Sequence, residues 1–550
     1  MPSDTENSPL VALRNLAFRR LWLASVLSGI GVAAYDCAAV WAMYKLNASP
    51  LLLSLMSSIA SLPFFLFILP AGALADIVDR RKLLWVSNLW LAVAAGSLAV
   101  LAALGLLNPY LVLLCVFLVG VGFAFTAPTW PAVVAEVVSA QELPSATTLG
   151  GLQLNIAAVI GPTIGGLLLP LIGARSIFSL NAVCFLIVAL TVLQWKPPVV
   201  SPKLPLETFL ESFLTAIRHV RHSPGVQVVL IRNALFAFFI ALIPSLIPVI
   251  GLKEVELNAL GCGLMFSAIG AGSVFAAILL LGWAQTHFSP NVLTISANLL
   301  LGIVFLLMAF VRDKTLFIIV ACLAGIAWTL CASELWVAGQ RAVPDWARAR
   351  MNATFFAITQ GAMVLGGIFW GTAASIYGPN RTLIGGAVLL FVSLIAAIPL
   401  SINFTKTLDL SVVPVTGFSH RLIYTPKADD GPVVIHFDIE VDPVRREEFL
   451  QTTKHARMVY LRNGAFSWRL HEDLGRVNTY RIEVMVPSWS QYLLQGTRLT
   501  KAEKIILERV RSFHVGSSTL GEQMFLCVNK ELQSKHHRAS KGAGAPAISA

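Results

Sequence analysis

Two carboxylates, Asp36 and Glu334, stand inside long apolar stretches of this sequence. An acidic side chain at the centre of a bilayer costs about 3 kcal/mol on insertion scales, so it usually faces a cavity and has a function. We therefore predict that both residues bind protons or substrate. The alternatives are a structural, hydrogen-bonded carboxylate at Asp36 and, at Glu334, a side chain that reaches the nearby membrane interface.

Two amides, Gln153 and Asn155, follow at a spacing of two residues in another apolar stretch. They are candidates for lining the same cavity, together with Asn298 and Gln360. Each amide taken alone is more typical of a hydrogen bond between neighbouring helices.

A short polar loop, within LPAGALADIVDRRKLL, combines small, acidic and basic residues. Its candidate gating residues are Gly72, Asp76, Arg80 and Arg81. Gly72 permits close helix approach, and Asp76 can accept hydrogen bonds from a helix N-terminus or an arginine. Such a latch can hold one conformation and be released in another. The alternative is a plain basic loop on the cytoplasmic side.

A glycine-rich helix segment, LGGLQLNIAAVIGPTIGG, carries a candidate packing motif. Its members are Gly161, Pro162, Gly165 and Gly166. Small residues four apart let helices approach closely, and proline permits bending. Ordinary tight packing and a role specific to export both remain open.

The elements that must position these residues are membrane helices. The chain has 550 residues, 56% apolar and 13% charged, whereas soluble proteins have about a quarter of their residues charged. A crossing needs about 20 apolar residues. About twelve such stretches occur, near 18–44, 51–75, 83–106, 110–135, 147–172, 174–195, 226–251, 258–283, 291–311, 315–339, 352–377 and 381–404. The predicted fold is all-α and membrane-embedded, with two six-helix halves.

The halves are 1–195 and 226–404, separated by a polar loop, 196–225, that we predict to contain an amphipathic helix along the inner membrane face. A weak repeat aligns Gly161 with Gly367 and Gly165 with Gly371. Transporters are often built from such repeats, with the substrate site between them.

Basic residues alternate in abundance between successive loops. The net charge of +11 is therefore attributed to cytoplasmic loops and not to nucleic-acid binding. Both termini are predicted to be cytoplasmic, in a multi-pass protein of the cell (inner) membrane. The richer loops contain Arg14, Arg19, Arg20, Arg80, Arg81, Lys82, Lys196, Lys203, Arg218, Arg221, Arg341, Arg348 and Arg350.

The composition changes after the last apolar stretch. We predict a linker at 405–431, a cytoplasmic α+β ferredoxin-like domain at 432–530 and a disordered tail at 531–550. The predicted order is strand, helix, strand, strand, helix, strand, with the second helix at about 488–513. Such sheets commonly pair, so a homodimer through this domain is expected.

The loop at Gly72 resembles the signature of the major facilitator superfamily, and the segment at Gly161 resembles its fifth-helix antiporter motif. The chain further resembles the exporter branch that includes the enterobactin exporter and transmembrane secretion effectors. Its C-terminal part is similar to cofactor-free antibiotic-biosynthesis monooxygenases through SWSQYLLQGTRLT. Tyr492 and Gly496 stand where that branch usually has histidines.

The resemblance implies a secondary transporter, not an enzyme, that exports small amphipathic molecules such as siderophores or drugs by proton-coupled antiport. The chain has no P-loop, and its seven cysteines have no metal-like spacing, so neither cofactor nor metal is expected. The expected partners are substrate, protons and lipid. The alternative is a transporter fused to a small-molecule-oxidising or ligand-sensing domain, with His436, Trp468 and His471 as residues of interest.

Overall fold

The computed structural model describes residues 10–195, 218, 220–396, 398–402, 411, 426–516 and 522–527. They belong to two compact units. The helical unit comprises Met1–Pro205, Val228–Gln340 and Asn352–Ile402; the second unit comprises Leu206–Gln227, Arg341–Met351 and Asn403–Ala550. Most of the predicted amphipathic loop and linker, and the predicted disordered tail, lie outside the described residues.

The helical unit is built from long apolar helices. Those of its first half are α1 (Leu16–Lys45), α2 (Pro50–Ile77), α3 (Arg80–Ala103), α4 (Pro109–Val137) and α5 (Leu143–Gln194). Those of its second half are α6 (Pro224–Ile240), α7 (Leu242–Lys253), α8 (Ala259–Phe275), α9 (Leu281–His287), α10 (Pro290–Phe310), α11 (Lys314–Arg341), α12 (Arg348–Tyr377) and α13 (Pro379–Ala396). A π-helical turn, Ala276–Leu280, joins α8 to α9.

Ten helical stretches in the described part of the chain are long and apolar enough to cross a membrane. In this count α6 and α7 form one stretch, and so do α8 and α9. One of the ten, α5, has 52 residues but leaves helical geometry at Gly173, where φ is 75° and ψ is 163°. A straight helix of that length would span about 78 Å, far more than a hydrocarbon core of about 30 Å. The break falls between the two predicted stretches 147–172 and 174–195.

Three helix starts in this unit share one local pattern, a polar cap followed by proline. Ser49, Asn108 and Ser289 each precede a proline, and each side chain accepts a hydrogen bond from a backbone N–H of the first turn. The cap satisfies a donor that has no partner in the helix, and proline has no N–H to leave unsatisfied. These residues explain why the predicted and observed starts agree within a few residues.

The two halves of the helical unit meet along several helix pairs. Within the first half, α1 and α3 pack on α5, and α2 packs on α4. Between the halves, α1 and α5 pack on α8, and α2 packs on α7 and α12.

The second unit contains a four-stranded antiparallel sheet. Its strands are β1 (Val433–Glu440), β2 (Ser467–Glu472), β3 (Thr479–Val486) and β4 (Glu522–Leu526), in the order β2-β3-β1-β4. Its helices are α14 (Arg446–Arg462), α15 (Trp489–Arg498) and α16 (Lys501–Arg511).

The order of strands and helices agrees with the prediction except that two helices replace the single one expected at 488–513. Thr500 interrupts it. Its hydroxyl accepts from Glu503 N at 3.3 Å, and the Glu503 carboxylate accepts from Thr500 N at 3.0 Å. This reciprocal capping box starts a new helix.

The core of the second unit lies between the sheet and its helices. Phe449 is fully buried there, with its ring 5.2 Å from that of Tyr480 and 5.8 Å from that of Phe513. Alternate residues of β1 and β3 supply the rest of this core, as expected for strands with one buried face.

Truncation of Phe449 tests this core. Phe449→Ala should destabilise the domain by about 3–5 kcal/mol, because a large buried ring leaves a cavity. The full chain is heated, and protease cleavage within 432–527 reports unfolding of the domain. The midpoint temperature of unfolding should fall by at least about 10 °C. Leu474→Ala, at a fully exposed position, is the control. Equal stability of the two variants would contradict this description of the core.

Candidate functional site

The closest approach between the two halves is made by glycines. A Cβ atom placed on Gly166 of α5 would lie 2.9 Å from the Cα of Gly263 in α8. One on Gly165 would lie 2.9 Å from the Cα of Ala34 in α1. Because real Cβ contacts are longer, only glycine fits at either position. Helix α5 is therefore held between α1 of its own half and α8 of the other.

The rest of the predicted packing motif lies at the same place. A Cβ on Gly161 would come within 2.5 Å of Ala33 Cβ in α1, and the carbonyl oxygen of Pro162 lies against Gly263. All four motif residues thus contact α1 or α8. The motif requires small residues because the backbones of the helices lie against each other along this contact.

Helix α12 has the corresponding arrangement in the second half. Gly366 lies against Phe238 of α6, within its own half, while Gly367 and Gly371 lie against Ser58 and Ser54 of α2. The repeat seen in the sequence thus corresponds to two helices that each contact both halves. The aligned glycines do not make equivalent contacts, however, since Gly161 and Gly165 face their own half.

Asp36 lies on α1, two residues after Ala34, which meets Gly165 of α5. It is exposed, whereas its neighbours Tyr35 and Cys37 are buried. Cys37 lies beside Cys262 in α8 of the other half. Among the described residues, the buried hydroxyl of Tyr35 has no hydrogen-bond partner. A carboxylate is therefore placed where α1 reaches the second half.

Glu334 is buried in α11, with 2% of its surface exposed. Its Oε2 accepts a hydrogen bond of 3.0 Å from Gln285 Nε2 in α9. The side chain is thus held inside the second half and does not reach out to an interface. The snorkelling alternative is not observed in this conformation.

A buried cation lies in the same half. Arg232 of α6 is 7% exposed and donates to Asn291 Oδ1 at 2.6 Å and to Thr294 Oγ1 at 2.5 Å. Asn298, one turn further along α10, donates to the thiol of Cys331 at 3.1 Å. The sequence analysis missed Arg232 because it considered only carboxylates and amides inside apolar stretches. A search for every charge in those stretches would have found it.

The two candidate amides have different surroundings. Gln153 Nε2 donates to the carbonyl oxygen of Ser25 in α1 at 3.1 Å. Asn155 is half-buried on the same helix. Gln153 thus makes the interhelical hydrogen bond that was the alternative interpretation.

The predicted gating loop is held by an ion pair that the sequence did not reveal. Arg80 Nη1 lies 2.6 Å from Glu136 Oε1 in α4. Arg81 donates to the carbonyl oxygens of Val192 and Leu193, at the last turn of α5. Cations are favourable at that end of a helix. The loop thus joins α3 to both α4 and α5.

Two other residues of this loop have different outcomes. Among the described atoms, nothing lies within 4 Å of a Cβ placed on Gly72, so the close helix approach predicted there is not observed. The side chain of Asp76 lies outside the described residues. Asp79 caps α3 by accepting from Arg81 N at 2.9 Å. An aspartate before a helix start is the signal for such a cap.

The three residues proposed for an enzymatic tail are not brought together. Trp468 pairs with the buried Val484, on the core side of the sheet, whereas His436 and His471 pair with Glu483 and Arg481. Successive strand residues point to opposite faces, so the two histidines lie on the other side of the sheet. No group of three metal-ligating side chains occurs in the portion of the chain that is described.

Several exporters are similar to this chain. It is 21% identical over 401 residues to macrolide efflux protein A of Streptococcus pyogenes, covering 72% of this chain and 98% of that protein. It is 24% identical over 431 residues to the multidrug efflux pump Tap of Mycolicibacterium fortuitum, covering 75% of this chain and 100% of that protein. It is 26% identical over 367 residues to the enterobactin exporter of Shigella boydii, covering 64% and 85%.

Solved transporter structures have the same fold. A POT family transporter in complex with 5-aminolevulinic acid matches 71% of this chain and 97% of its own, with a TM-score of 0.58 at 14% identity. The family model described as transmembrane secretion effector matches residues 7–532. The chain is a multi-pass membrane transporter of the efflux type and not an enzyme, and it belongs to the transmembrane secretion effector family.

Proposed function

We propose that this transporter exports small amphipathic molecules, of the drug or siderophore kind, in exchange for protons by alternating access. The observation that carries the proposal is the exposed Asp36 between buried neighbours, where α1 meets the second half. A carboxylate facing hydrocarbon would be costly, so the exposed side of Asp36 is assigned to an aqueous space between the halves. The similarity to a macrolide efflux protein, a multidrug efflux pump and an enterobactin exporter supports this substrate class.

The proposed topology has twelve crossings. The break at Gly173 divides α5 into two crossings, and the short apolar helix α13 adds the last one. An even number places both termini on one side of the membrane. The basic loops assign that side to the cytoplasm of a cell (inner) membrane protein.

The second half contributes a second charged group to the proposal. Glu334 and Arg232 are both buried, and each is held by neutral polar side chains. Buried charges inside a bilayer commonly mark ion or substrate pathways. We assign Glu334 a role in substrate or proton binding that complements Asp36.

Asp36→Asn tests the proton coupling. The amide keeps the size of the side chain but cannot release a proton, so a substrate gradient driven by an imposed pH difference should fall at least about tenfold in vesicles. Asp313→Asn is the matched control: Asp313 caps α11 through Leu316 N, and asparagine caps equally well. Full pH-driven transport by Asp36→Asn, at equal insertion, would exclude Asp36 as the coupling group.

The loop between α2 and α3 is proposed as the cytoplasmic gate. Arg80 and Glu136 form its ion pair, and Arg81 joins it to the end of α5. An ion pair that exists in one conformation favours that conformation by its own interaction energy. For partly exposed charges this is about 1 kcal/mol, enough to change a population ratio about fivefold.

Arg80→Gln and Glu136→Gln should shift the balance between inward-open and outward-open states in the same direction. The double variant should do no more than either single variant, because both remove one interaction. Labelling rates of single cysteines on the two membrane faces provide the measurement, and Lys82→Gln, an exposed residue of the same loop, is the control. Additive shifts would mean that the two residues act separately.

The C-terminal domain is proposed to be ferredoxin-like and to pair with a second copy. Its strand order corresponds to that fold. The outer face of the sheet carries Val434 and, beside it in register, Met485 and Phe525, whose side chain is 49% exposed. An apolar sheet face is usually covered, and a second copy offers the same surface for a symmetric contact.

Phe525→Asp should convert dimers to monomers, since it places a charge in the proposed contact. Ile505→Asp makes the same change at an exposed apolar position of α16, on the helical side, and should leave the mass unchanged. Light scattering of the purified full chain gives the masses. A wild-type monomer, or an equal response of the two variants, would refute the pairing.

A further inference from the structure

A cavity of about 410 Å³ lies within the second unit, between the segment before α6 and the start of β2. Its size is within the range of small-molecule sites. The residues around it come from three parts of this unit: the segment 218–222, the last turns of α14, and the turn that leads into β2.

The polar lining of this cavity is cationic. It contains Arg218, Arg221, Arg457 and Arg469, together with His222 and the neutral Ser467, and no carboxylate among the described residues. None of the four guanidinium groups forms an ion pair within the described residues, although other arginines of the unit do, such as Arg481 with Asp438. Arg221, Arg457 and Arg469 are exposed, so water and salt screen their mutual repulsion, but an anion placed among the four would still be attracted by all of them.

Arg218 has the strongest need for a counterion. It is half-buried, and burial lowers the pKa of its guanidinium because water no longer solvates the charge fully. A guanidinium binds carboxylate or phosphate through a planar pair of N–H groups, which suits an anionic group of that geometry.

The remaining lining is apolar, with one unused donor. The indole N–H of Trp468 is buried and has no hydrogen-bond partner among the described residues. Buried polar groups nearly always have a partner. Leu461, Ala465 and Phe466 line the cavity beside it. That buried N–H is not open to the cavity, so the lining itself suits a ligand with a flat apolar body.

The site is built by local structure. Arg457 and Leu461 are four residues apart on α14 and therefore share one face. Phe466 N donates to Met485 O at 3.0 Å, which fixes the turn into β2. On the other side, Gln227 Nε2 donates to the carbonyl oxygens of Val220 and Arg221 at 3.1 and 2.7 Å.

We propose that this cavity binds a small organic anion, a carboxylate or phosphate attached to a flat apolar group. The arginines hold the anionic group and Trp468 contacts the apolar part. The anionic group belongs either to a free small molecule or to an anionic lipid, whose acyl chains would take the place of the flat group. The inference concerns the second unit and does not depend on the proposed proton coupling.

The test measures binding of 1-naphthyl phosphate to the full chain in phosphatidylcholine nanodiscs by equilibrium dialysis, with empty nanodiscs as the blank and 1-naphthol as the uncharged probe. Arg218→Gln and Arg469→Gln should each weaken phosphate binding about tenfold. Arg476→Gln, an exposed arginine outside the cavity, should leave it unchanged. Trp468→Phe, which keeps an aromatic ring but reduces the apolar contact, should weaken binding at least threefold.

A second set of nanodiscs containing phosphatidylglycerol separates the two sources of ligand. Reduced naphthyl phosphate binding there, in wild type and Arg476→Gln alike, would assign the site to lipid headgroups, and unchanged binding to a free anion. The proposal is overturned if the phosphate does not bind, if 1-naphthol binds equally well, or if Arg476→Gln weakens binding as much as Arg218→Gln. Thermal unfolding of each variant shows whether its domain is folded. If an arginine variant is unfolded, the binding measured with Trp468→Phe decides the test.

Discussion

The contact between the backbones of α5 and α8, at Gly166 and Gly263, is the constraint on which the helical unit depends. In lipid, helices gain little from burying apolar side chains against one another, so they associate through close packing. Glycines bring two helix axes close enough for many weak contacts to form. They also leave a smooth surface without interlocking side chains. The same two helices can therefore hold the halves together and still tilt past each other.

Charged side chains inside the helical unit are held in different ways in its two halves. Asp36 of the first half is exposed next to α8, whereas Glu334 and Arg232 of the second half are enclosed by neutral donors and acceptors. Neutral partners lower the cost of burying a charge without fixing it in an ion pair. A group held this way can change its partner or its charge at modest cost.

The sequence predicted the helices well because their limits are local. A cap and a proline at Ser49–Pro50, or the left-handed conformation of Gly173, act within one turn of chain. The ion pair of Arg80 with Glu136 joins residues 56 positions apart, and the sequence around either residue does not predict its partner. For the same reason Trp468 was grouped with His436: the face that a strand residue occupies follows from its register with Val484. Register depends on the whole sheet.

The second unit is more than a C-terminal addition. Two earlier parts of the chain belong to it as well: residues 218 and 220–227, and the segment Arg341–Met351. In the latter segment the indole N–H of Trp346 donates to Arg498 O at 3.2 Å, and the Arg498 guanidinium lies 4.9 Å from the ring. Segments that connect transport helices are thus packed into the same unit as the sheet. The contacts of Trp346 with Arg498 therefore hold the segment 341–351 within the second unit.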